Sequence, residues 1–322
     1  MPQRRGAPVS DAEALGRADA HARGIPHDRL ERLRNRTPVV WLAGRPDGRP
    51  GSWAVLRYAD VRYALLHPEL FAPERDGVLH GPLDGDLDDG AEPPPQTLLD
   101  MDPPARAMLD RVPDGEPVDF VTQVAADLPE TVRNTLGGGL HALLRHPAQY
   151  ERLRQRRCDE RLLDSAVEEM LRWWTPVAQV GRTVRRAAVL GGVPLLAGER
   201  VALWLASANH DEEIFPDPGR FVPERFLTDR PRAGGAGAAG PGRGGPSRAN
   251  RRHQREQRVR PHLCFGHGDR ACLGARLARV HLRALLVAIL ERPGRAAAAG
   301  EPVMLRSTAR HGFERLPFRW TG

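Results

Sequence analysis

Apolar residues recur along this chain at two periods, and the periods divide it into elements. Between Arg161 and Trp174 they fall at Leu162, Ala166, Met170 and Trp173, spacings of three and four that lay one stripe along an α-helix. The pattern predicts an amphipathic helix there, closed by Pro176, because proline cannot continue the hydrogen-bond ladder. Leu30 and Leu33 predict a shorter helix from His27 to Arg36. The His146-Pro147 step ends one helix, and Ala148 to Arg156 reads as the next. Asp60, a good N-cap, predicts another helix start. Val39-Val40-Trp41-Leu42 and Trp53-Ala54-Val55-Leu56 are unbroken apolar runs too short for helices and read as strands of a small sheet. From Val184 to Val201, Gly191-Gly192 and Ala197-Gly198 mark turns between hairpin strands. A last helix is expected from Leu273 to around Glu291. The expected fold class is mainly α with a small β region.

Composition adds limits. With 322 residues, 40% of them apolar and 28% charged, the chain can bury a sizeable core as one large domain or two ordinary ones. The first residues, Met1-Pro2-Gln3-Arg4-Arg5-Gly6, lead into no apolar signal region. No run approaches the roughly 18 apolar residues of a membrane helix. Three cysteines, an odd number at irregular spacing, argue against a disulfide framework and for a reducing, cytoplasmic compartment.

Charge first suggests a nucleic-acid partner, since the net charge is +7 and the pI is near 10.4. Its location weakens that reading. Nine arginines and one glutamate lie between Arg230 and Arg260, so the excess belongs to one segment. That segment, 230–260, is rich in Gly, Pro and Arg and is expected to be a disordered insert. It lacks aromatic residues for stacking on bases, so nucleic-acid binding through it is the lesser alternative.

The densest chemistry lies in Phe265-Gly266-His267-Gly268-Asp269-Arg270-Ala271-Cys272-Leu273-Gly274. Gly266 and Gly268 permit positive φ angles, and Gly274 removes a side chain beside Cys272. The expected helix directs its positive N-terminal end at the sulfur, which favours a thiolate. A zinc reading of Cys264, His267 and Cys272 would need His262 as a fourth ligand, at an awkward spacing. A buried structural thiol is the plainest alternative for Cys272.

The loop resembles the haem-binding loop of the cytochrome P450 monooxygenases. Glu169-Met170-Leu171-Arg172 is similar to that family's E-x-x-R, and Arg225 in Phe221-Val222-Pro223-Glu224-Arg225-Phe226 is similar to the third member of its structural triad. Further similarity runs from Gly24-Ile25-Pro26-His27 through Leu99-Asp100-Met101-Asp102-Pro103-Pro104 and Ala208-Asn209-His210-Asp211 to Leu316-Pro317-Phe318-Arg319-Trp320. The resemblance implies one P450-like domain over 1–322, with haem b as cofactor and Cys272 as ligand to its iron. Phe265, Gly266 and Gly274 would line the haem, Arg270, Arg106 and Arg182 would meet its carboxylates, and Asp110 would repel them. It further implies a monooxygenase that uses dioxygen and electrons from a ferredoxin-type partner. The most similar members are actinobacterial enzymes hydroxylating lipid- or sterol-like substrates.

Glu130-Thr131 resembles the family's acid–alcohol pair for proton delivery to oxygen. Here Asp127-Leu128-Pro129 precedes it, and Pro129 breaks a helix at that point. Relative to the family, segments are missing after Arg111 and before Glu130, so the fold is expected to be truncated on the distal side. A degenerate relative, haem-binding or inactive, is therefore the alternative function.

Overall fold

Helix ends in this protein are secured by side chains from both near and distant parts of the chain. The structure, a computed structural model, describes residues 9–44, 50–73, 109–110, 112–227 and 261–322. Arg106, the 99–104 motif and the whole of the expected insert, 230–260, lie outside the described residues. In order come α1 (Val9–Leu15), α2 (His27–Arg36), β1 (Val39–Leu42), β2 (Ser52–Val55), α3 (Tyr58–Leu66) and β3 (Phe71–Pro73). After them come β4 (Pro117–Asp119), α4 (Glu130–Arg145), α5 (Pro147–Gln155) and α6 (Glu160–Trp174). Four strands follow, β5 (Val180–Val184), β6 (Ala188–Leu190), β7 (Val193–Leu195) and β8 (Arg200–Leu203), then the single turn α7 (Leu205–Ala208). The chain closes with α8 (Ala275–Glu291), β9 (Arg295–Ala298), β10 (Val303–Met304), β11 (Phe313–Arg315) and β12 (Pro317–Thr321). The mainly α fold with a small β region is thus observed.

Helix α6 shows how its sequence sets its ends. Asp159 accepts the Leu162 N–H at 3.1 Å, satisfying one of the free donors of the first turn. At the other end Thr175 takes a left-handed conformation, φ 50°, which costs a β-branched residue strain. Its hydroxyl offsets part of that by donating to Arg172 O at 2.7 Å and accepting from Asn209 Nδ2 at 2.9 Å.

Helices α4, α6 and α8 pack on one another. Leu136, Leu140 and Leu143 of α4 meet Leu163, Val167 and Met170 of α6 and Leu282, Leu286 and Ile289 of α8 in one buried cluster. Close approach depends on the glycines of α4. A Cβ on Gly138 would fall within the Trp174 ring, and one on Gly139 would sit 2.6 Å from Leu282 Cδ1. A second core lies against the five-stranded sheet β1-β2-β8-β5-β3. In that sheet β2 and β8 run parallel, and the other pairs are antiparallel. Among the described residues no helix is long and apolar enough to cross a membrane.

Two helix starts differ from the sequence expectation, and the break at Pro129 falls where expected. Helix α3 begins at Tyr58, not at Asp60. Its first N–H is taken by Asp211 at 2.8 Å, and Asp60 instead accepts the Gly191 N–H at 3.2 Å. The capping acid is a residue 153 positions away, which local propensity cannot reveal. Helix α8 begins at Ala275, with Gly274 as its N-cap, because Cys272 to Gly274 are held in the turn of the loop. Pro129 precedes α4 directly. The chain reaches it from β4, an edge of the sheet β4-β12-β9, through a π-turn over 120–124 that buries Phe120, Val121 and Val124.

Candidate functional site

The cysteine loop hangs from the end of α6 and the start of α8. Asn209 accepts the Leu263 N–H at 2.7 Å and donates to Cys264 Sγ at 3.2 Å, while Cys264 Sγ donates to Leu171 O at 3.0 Å. Cys264 is buried and engaged in this structural role. Beyond it the backbone turns back on itself, with φ 72° at Gly266 and 75° at Gly268, angles that a side chain resists. The Cys272 N–H then donates to Phe265 O at 2.8 Å, and the Ala275 N–H to Cys272 O at 3.3 Å. Cys272 is exposed, two residues before the N-cap of the 17-residue α8, and so sits in sequence next to the first turn of that helix, whose amides are free. A Cβ on Gly274 would lie 3.7 Å from that sulfur, and its absence leaves the approach open. Arg270 is exposed in the short helical turn 268–270.

Beneath the loop, Glu169 and Arg172 are fully buried, at 0% exposure each. Arg172 Nε and Nη2 donate to the two Glu169 oxygens at 2.8 and 2.9 Å. Arg225 Nε and the Val222 N–H add bonds to Oε1 at 3.0 and 2.9 Å. Arg172 Nη1 reaches Asn209 O at 2.8 Å, and Arg225 Nη1 reaches Pro216 O at 2.7 Å. The carboxylate therefore ties α6 to the segment 216–225. Asn209 ties the same unit to the cysteine loop. Asn209 was legible as part of the Ala208-Asn209-His210-Asp211 resemblance, but its partners Thr175, Leu263 and Cys264 were not, because they come from distant stretches of chain.

A family model described as "Cytochrome P450" matches residues 113–292, more than half of the chain. The chain belongs to the cytochrome P450 family. It is 36% identical over 178 residues to a steroid C26-monooxygenase of Mycolicibacterium smegmatis, covering 55% of this chain and 36% of that protein. It is 33% identical over 193 residues to a methyl-branched lipid omega-hydroxylase of Mycobacterium tuberculosis, covering 60% and 37%. The aligned part thus spans little more than a third of these P450s. The solved structure of cytochrome P450-153 from Novosphingobium aromaticivorans superposes with a TM-score of 0.72 at 23% identity, covering 96% of this chain and 99% of that one.

Haem is the cofactor of this P450 family, and the proximal residues fit it. Cys272 is an exposed thiol ahead of a helix N-terminus and, unlike the exposed Cys158, it follows two positive-φ glycines and has Gly274 beside its sulfur. The zinc alternative has no such support, since no group of three or more His, Cys, Asp or Glu is arranged to hold a metal among the described residues. His262 instead faces Glu168 at 3.1 Å. Arg182 lies half-buried on β5 and donates to Gly181 O at 2.7 Å. Asp110 is exposed.

The acid–alcohol pair lies at the start of α4. Thr131 is exposed in the first turn of α4. Glu130 forms an ion pair with Arg310 and accepts from Asn134 Nδ2 at 3.4 Å. Trp174 packs in the core, stacked on His311 with ring centroids 3.7 Å apart. A cavity of about 350 Å³ beside it is lined by His27, His141, His210 and His311. Burial pushes His27 and His141 down to about 4 and His311 down to about 3, so all three are neutral near pH 7.

Proposed function

We propose that this chain is a cytoplasmic haem-thiolate monooxygenase, a single domain over 1–322, that acts on a hydrophobic, lipid- or sterol-like substrate. Electrons would come from a ferredoxin-type protein and oxygen from dioxygen. The observation that carries the reading is Cys272, an exposed thiol in the glycine turn just ahead of α8. The substrate class follows the steroid and lipid hydroxylases among the relatives, and the compartment follows from the unpaired cysteines.

When bound, the haem iron supplies dioxygen activation, which a thiolate ligand favours by donating electron density. The protein's own residues would do the rest. Cys272 would supply the sulfur ligand from the turn ahead of α8. Phe265, Gly266 and Gly274 would face the macrocycle, and Arg270, Arg182 and Arg106 would meet its carboxylates. The Glu169, Arg172 and Arg225 unit holds the protein beneath. Thr131 and Glu130 would pass protons by general acid catalysis. Purified protein reconstituted with haem tests this. The ferrous–carbonyl complex should show the red-shifted band of thiolate ligation, lost in Cys272→Ser and kept in Cys264→Ser and Cys158→Ser. A band that survives Cys272→Ser removes Cys272 from the role.

A second reading, a haem-binding relative with little hydroxylation, is favoured by the exposure of Thr131 and by the engagement of Glu130 with Arg310. An open pocket admits water and uncontrolled protons. The ratio of product formed to reductant consumed separates the two readings.

A further inference from the structure

Among the protein's own groups, the side chains of Ala271 and Leu273 that flank Cys272 are exposed and offer its sulfur little packing. Its backbone bonds do more. The Cys272 N–H is held by Phe265 O at 2.8 Å, and the place of Phe265 therefore bears on the place of the sulfur. Phe265 is in turn flanked by the side chains of Arg279 and His262. The Arg279 guanidinium lies over its ring, 4.7 Å from the centroid, and the His262 ring is tilted against it at 5.8 Å. Arg279 Nε and Nη2 donate to the two Glu168 oxygens at 2.5 and 2.9 Å, and His262 Nε2 lies 3.1 Å from Glu168 Oε2. His262 Nδ1 accepts the Cys264 N–H at 3.3 Å, at the start of the same loop. Burial would raise the Glu168 carboxyl, but its bonds to His262 and Arg279 pull it down to about 2, so it stays ionised and holds both partners.

We propose that Glu168, His262 and Arg279 form a clamp, distinct from the Glu169 unit, that positions the Phe265 ring and through its carbonyl directs the Cys272 sulfur. The clamp joins α6, the loop and the second turn of α8. It needs the planar guanidinium, which presents a fork to the carboxylate and a flat face to the ring together, something an ammonium cannot do. Arg279 is 40% exposed, so the ion pair adds little to folding, and its effect is on position. These are positioning residues, and the proposal rests on the reading of Cys272 as the haem ligand.

The test uses the whole chain reconstituted with haem, following the ferrous–carbonyl spectrum together with thermal melting. Arg279→Met keeps the stem and removes fork and charge. It should shift part of the bound haem from the red-shifted band to the unshifted one while the melting temperature stays near that of the parent protein. Arg279→Lys keeps the charge and should shift it in the same direction, and it serves as the folded variant should Arg279→Met aggregate. Glu168→Gln should do likewise. Arg276→Met changes another arginine on α8 bordering the same groove and should leave the spectrum unchanged. Spectra of both Arg279 variants identical to the parent would overturn the clamp, as would an equal shift in Arg276→Met, which would trace the effect to surface charge. A parent protein without the red-shifted band refutes the Cys272 reading itself, and the clamp with it, whatever the variants do.

Discussion

Replacing Glu169 with glutamine tests the central buried ion cluster. Glu169 and Arg172 have 0% exposure, and Arg225 only 10%. In Glu169→Gln the shape is retained and the charge is lost. If the amide oxygen takes the place of Oε1, it still accepts from Arg172 Nη2, Arg225 Nε and the Val222 N–H. The amide nitrogen then points two hydrogens at Arg172 Nε, formerly a donor to Oε2 at 2.8 Å. One charge-assisted bond, about 1.5–3 kcal/mol, becomes a clash of donors, and a buried guanidinium loses its counter-charge. Breaking one partner of a buried pair costs about 3–5 kcal/mol, a large part of the roughly 5–15 kcal/mol by which domains are stable. Arg172 keeps the carbonyls of Asn209 and Arg220, which places the expected loss near the lower end, about 3 kcal/mol. Urea unfolding of parent and variant measures the difference through the midpoint at constant slope. A loss below about 1 kcal/mol, the worth of an exposed pair, would refute the view that this cluster is desolvated and essential.

Two further outcomes are expected. Stability should fall in mild acid. His27 and His141 are pushed down to about 4 by burial from an ordinary 6.5, so the unfolded chain takes up protons first as pH drops. Their contribution is intact above about pH 6.5 and lost progressively toward pH 4, by about 3 kcal/mol for each taken alone. Denaturant midpoints flat between pH 7 and pH 4.5 would contradict this. On the second reading, Thr131→Ala should change the ratio of product to reductant less than twofold, because an exposed Thr131 delivers protons no better than water does. A severalfold loss of coupling would show that Thr131 acts in a closed pocket.

The sequence by itself determined what short-range chemistry controls. The stripe of Leu162, Ala166 and Met170 lies on α6, within one residue of the expected start, because a helix is a local structure whose buried face repeats every three to four residues. The glycine loop was legible for the same reason. A backbone that must take positive φ at Gly266 and Gly268 leaves its mark at those positions. Membership of the P450 family was readable from such local motifs in their order. Tertiary structure alone decided the rest. Glu169 and Arg172 as a pair three apart could have been a surface contact, and it is their desolvation by α7 and the segment 216–225 that makes them a buried cluster. The start of α3 was set by Asp211, and the partner of Glu130 by Arg310. The clamp on Phe265 draws Glu168, His262 and Arg279 from three separate stretches of chain. Such contacts depend on how helices dock, and docking is a property of whole packed faces, which no single stretch of residues records.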